Sequence, residues 1–128
     1  MIRLPAVAGQ FYPADAAKVE AELDRVIKPA AAARPAIAVV VPHAGWRYSG
    51  ATAGLVYSAV HIPDHVIMVG PNHLGAGSAY ALFDAGQWQT PVGNVPIDEP
   101  LAAELLDNCE LLAIDPRDNK HLFAATQG

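Results

Sequence analysis

The 128-residue chain holds a single cysteine, Cys109, which excludes an intrachain disulfide and fits a reducing compartment. Basic residues are also few: eight Lys and Arg, scattered along the chain, against thirteen Asp and Glu, giving a formal charge of −5. Such a chain carries no basic footprint for nucleic acid and has no attraction for an anionic membrane surface. Apolar runs stay short, and none approaches the roughly 20 residues that span a bilayer. The opening MIRLPAVAGQFYP, interrupted by Pro5 and Gly9, lacks the sustained apolar stretch of a secretory signal. No G-x-G-x-x-G or Walker pattern is present, which speaks against nucleotide binding. Together these absences predict a soluble, cytoplasmic protein with no nucleic-acid or membrane partner.

The length allows one α/β domain over residues 1–128, large enough to bury around two-thirds of its unfolded surface. Hydrophobic residues make up 52% of the chain, but 25 of them are Ala. The core must therefore come mainly from Val, Leu and Ile in a few strand-like runs.

Two such runs organise the chain. Ala36 to Gly50, AIAVVVPHAGWRYSG, and Val66 to His73, VIMVGPNH, are each apolar and β-branched, stop at a proline, and deliver a histidine just beyond. Between them Gly50 to Val60 has the length of about three helical turns. Ser49 is its expected cap, and the small residues Ala51, Ala53, Gly54 and Ala59 would let it pack close to a sheet. Strand, helix, strand in this order predicts a right-handed parallel crossover, with His43 and His73 leaving the same carboxyl edge. Open α/β sheets bind ligands at that edge, and neighbouring strands lie about 4.8 Å apart. The spacing thus proposes a metal site with His43 and His73 as its first two ligands.

Around these runs, Arg3 to Pro13 reads as irregular, its aromatics pinning the segment to the body. A helix capped by Asp15 follows, with Val19, Leu23, Val26 and Ile27 on one face and Lys18, Glu22 and Arg25 on the other, ending at Pro29. Pro29 to Pro35 is a connector. After His73 come the turn LGAGS and a short strand from Ala79 to Phe83. Gly86 to Asp98 reads as an antiparallel excursion or lid. Asp98 should cap a helix from Glu99 to about Asn108, with Pro100 tolerated in its first turn. Leu111 to Ile114 reads as a last strand, and residues 116–128 show no period. The fold expected is α/β, a mainly parallel central sheet flanked by helices.

Four motifs in order, PAVAGQFYP, PHAGWRYSG (Pro42 to Gly50), GPNH (Gly70 to His73) and WQTPVGNVPID (Trp88 to Asp98), resemble the Memo family. Its bacterial members are also called AmmeMemoRadiSam system protein B. The family is similar in fold to the class III extradiol ring-cleaving dioxygenases. The resemblance implies a non-haem Fe(II), or another divalent metal, with His43 and His73 as ligands, and a small aromatic substrate. Family members are about twice this long, and their further site residues, including a Cys that completes the metal triad, lie in the part this chain does not match. Cys109 does not sit in that context, and Trp46 stands where the family usually has Tyr. The resemblance therefore covers an N-terminal half, with 116–128 divergent and the fold incomplete on that side.

A facial Fe(II) site needs three protein ligands. Within this chain Asp98, Asp84 and His121 are candidates for the third, and no catalytic residue is assigned. Tyr48 and Asn72 are candidate outer hydrogen-bond partners by adjacency, while Trp46 and Asp98 are further candidates for the outer shell or a substrate pocket. The pair His61 and His65 has an H-x₃-H spacing, but Pro63 blocks the helix it would need. Cys109 reads as a buried structural thiol, and Trp88, Phe11 and Tyr12 as packing residues. Two functions of different class remain open. One is an iron-dependent dioxygenase acting on a small aromatic. The other is a non-catalytic module binding a peptide or protein in the same cleft, or an inactive fragment of a longer enzyme. Half of an α/β sheet would also expose apolar surface able to drive homo-oligomerisation.

Overall fold

The computed structural model of the chain describes residues 1–28, 32–71, 73, 77–114 and 122–126, the last five by their backbone. Asn72 and His121 fall outside these residues, as do Pro29 and most of the LGAGS turn. The protein is α/β. Its contacts divide it into two units: one comprises Met1–Leu4, Pro63–Gln89 and Asn94–Gly128, the other Pro5–Ile62 with Thr90–Gly93.

The second unit is built on two helices. In α1 (Ala16–Val26), the side chain of Asp15 accepts from the Lys18 amide at 3.0 Å, the cap expected from the sequence. Val19 is the buried residue of the helix, and Arg25 and Glu22 pair one turn apart on the outside. In α2 (Trp46–Ser58), the start lies earlier than Ser49: Gly45 is the N-cap and gives no side-chain cap. Ser49 instead donates its hydroxyl to the Ala44 carbonyl at 2.7 Å, which ties the helix back onto the preceding loop.

The small residues of α2 serve α1. Gly54 is buried, and a Cβ built there would sit 2.7 Å from the Val26 carbonyl carbon. The Ser58 hydroxyl donates to the Gly54 carbonyl at 2.6 Å and accepts from the Lys28 amide at 2.8 Å, fixing the approach. Because backbone lies in the way, Gly54→Ala is expected to destabilise by about 2 kcal/mol, despite the roughly 1 kcal/mol that alanine offers a helix. A urea titration checks this, and an unchanged or raised midpoint would refute the close approach.

The first expected strand is not formed. Ala36 to Val41 carries no ladder, and Ile37 and Val40 are 108% and 92% exposed. The nearest pairing is a lone parallel bridge between Arg34 and Val60. A strand is made by a partner rather than by its own propensity, and the described residues offer this run none. The parallel crossover built on it is likewise not formed among the described residues.

The first unit holds two sheets. In the smaller one, β1 (Ile2–Arg3) runs parallel to β4 (Gln87–Thr90), and β5 (Gly93–Pro96) follows as the third strand. This is the excursion expected between Gly86 and Asp98. Gly86 has φ +95° and lies against the Met1 backbone, whose carbonyl accepts from the Gln87 amide at 2.9 Å.

The larger sheet has the order β2 (His65–Val69), β7 (Leu122–Thr126), β3 (Ala81–Phe83), β6 (Ala113–Ile114). β3 is parallel to both β6 and β7, while β2 and β7 are antiparallel. The sheet is thus mixed, with two parallel pairings and one antiparallel pairing among the described residues. The strand that runs against the other three is β2, and the strand it pairs with, β7, lies in the stretch expected to have no period. The β7 sequence LFAAT carries two alanines, poor strand formers, and it is pairing on both sides that makes it a strand.

The helix α3 (Glu99–Asn108) starts where the sequence places it, with Asp98 as N-cap and Pro100 in the first turn. Leu82 on β3 and Ala102 on α3 are fully buried against each other's neighbours Leu101, Leu105 and Leu106. A second cluster gathers Phe83, Trp88 and Val95 around Ile97. Among the described residues no helix is long and apolar enough to cross a membrane.

Candidate functional site

His43 is exposed and lies two residues before the N-cap of α2. Its loop is held from two directions. The Trp46 amide donates to the Phe11 carbonyl at 2.8 Å, and Ser49 fastens Ala44. Phe11 belongs to a tight turn in which its own amide and that of Gln10 both donate to the Val7 carbonyl. The Tyr12 and Trp46 rings lie 5.6 Å apart, tilted by 34°. PAVAGQFYP and PHAGWRYSG, far apart in sequence, are therefore one local structure, and the aromatics do pin the N-terminal segment.

That arrangement assigns the aromatic neighbours of His43 separate environments. Trp46 is half-buried against Tyr12, whereas Tyr48 is 80% exposed. In the first turn of α2 the Trp46 amide donates to the Phe11 carbonyl and the Tyr48 amide to the Gly45 carbonyl.

His73, in the other unit, is exposed and follows β2 by way of Gly70 and Pro71. His43 thus precedes α2 and His73 follows β2, each just beyond an apolar run of the sequence. Of the candidates for a third ligand, Asp84 is half-buried just beyond β3. Asp98 is engaged through both oxygens. Oδ1 accepts from the Leu101 amide at 3.1 Å, capping α3, and Oδ2 lies 2.5 Å from His65 Nδ1. Among the described residues there is no group of three His, Cys, Asp or Glu that could hold a metal ion.

The pairing of His65 with Asp98 had no signal in the sequence. The two residues are 33 positions apart, and neither lies in a spacing that marks a pair. It joins the first residue of β2 to the cap of α3, and it separates His65 from the H-x₃-H reading with His61, whose amide donates to the Arg34 carbonyl. The Leu101 amide first, then His65, hold the Asp98 carboxyl below its ordinary value of 3.8, against the opposing effect of desolvation.

A carboxylate with a lowered folded pKa adds stability that is complete above the unfolded value and is lost as pH falls through the folded one. The gap in urea midpoint between the parent and Asp98→Asn is accordingly expected at full size near about pH 5.5 and to close in strong acid. A gap of constant size down to about pH 2 would show that the charge of Asp98 contributes nothing.

Other residues singled out by the sequence do structural work. The Arg3 guanidinium sits 3.8 Å over the Trp88 ring, and Phe83 meets that ring edge-on at 6.2 Å. Cys109 is half-buried at the end of α3, where its carbonyl accepts from the Leu112 amide at 3.1 Å. It is less enclosed than a buried core thiol.

In class, then, this is an α/β protein with two exposed histidines on loops, one of them braced by a motif-built turn. More particularly, the chain belongs to the Memo-like protein family, whose model matches residues 3–122. It is similar to the MEMO1 family protein of Sulfurisphaera tokodaii, at 38% identity over 96% of this chain and 48% of the relative. It is also similar to that of Aquifex aeolicus, at 41% over 95% and 45%. The MEMO1 family protein of Pyrobaculum arsenaticum is 44% identical over 79% of this chain and 40% of the relative. The chain spans less than half the length of these curated relatives.

Proposed function

We propose that this chain supplies His43 and His73 as two nitrogen ligands of a non-haem metal site, Fe(II) by resemblance, in a cytoplasmic Memo-like protein that oxidises a small aromatic. The observation that carries this reading is the placement of both histidines: each is exposed and lies outside the helices and strands just beyond an apolar run, within the span matched to the family. Imidazole is a good donor for iron and zinc, so the donor chemistry suits the ion. Two imidazoles do not make a facial triad, and the described residues hold no group of three. The third donor must come from outside them.

The test is an anaerobic iron titration followed by oxygen uptake with catechol. Iron bound one to one, with catechol-dependent oxygen consumption, is the expected result. Iron bound through both histidines without oxygen uptake would retire the dioxygenase part and leave the metal site. A protein that binds no metal but captures a peptide or protein partner would favour the non-catalytic module instead.

A further inference from the structure

We draw no further inference here: the strongest candidate, the side-chain pair of exposed His65 at the start of β2 and buried Asp98 at the N-cap of α3, belongs to the site already described, and nothing among the described residues marks a ligand or substrate beside it.

Discussion

His43→Ala and His73→Ala are each expected to lower iron affinity by roughly 100-fold or more and to leave the melting temperature nearly unchanged. Both imidazoles are exposed on loops outside the apolar clusters around Val19, Leu82 and Ile97. Removing them deletes donors without opening a cavity, so binding and folding separate. Equilibrium dialysis with iron, run beside a thermal melt of each variant, provides both readings. Variants that unfold while their metal content stays as in the parent would make the two histidines structural.

Leu82→Ala is expected to have the largest effect on stability, a loss of about 3–4 kcal/mol. Leu82 is fully buried, and its strand lies between β7 and β6. Leu101, Leu105 and Leu106 reach it from one helix, and Ala102 is the small residue that lets the helix approach. A cavity there cannot be closed by a shift of β3 alone, since β3 is held on both edges. Against a total stability on the order of 5–15 kcal/mol for a domain, such a loss should lower the urea midpoint by a large fraction. Ile37→Ser is the matched control. Ile37 is fully exposed, so its change should stay within about 0.5 kcal/mol. Equal effects at the two positions would mean that the run from Ala36 to Val41 is packed in solution.

The contrast between these positions shows which parts of the fold can be read from the sequence. Local chemistry was readable. Asp15 and Asp98 cap helices because a short carboxylate satisfies free amides nearby in the chain, and glycine and proline around residues 87–96 punctuate a strand pair. Partnership was not. Ala36 to Val41 and Leu122 to Thr126 exchanged roles: the β-branched run has no ladder, while the alanine-containing segment became an inner strand by pairing with β2 and β3.

The site divides in the same way. His43 and His73 both lie outside helices and strands, as a proline after an apolar run signals locally, but the strand expected before His43 is not formed. Gly54 was recognised as a close-packing residue, but its neighbour proved to be Val26 of α1 rather than a sheet. His65 with Asp98 could not be foreseen, since a contact between a strand start and a distant helix cap leaves no periodic trace. Asn72 and His121 lie outside the described residues; the GPNH motif supports the neighbourhood of the first, and no motif reaches the second.

The claim on which the functional account rests is that His43 and His73 share one ion. Iron K-edge X-ray absorption of the anaerobic one-to-one complex addresses it directly, through the scattering of imidazole rings bound to the metal. The account predicts two rings in the parent and one in each single alanine variant. No bound imidazole in the parent, or two rings still bound after His43→Ala, would contradict it.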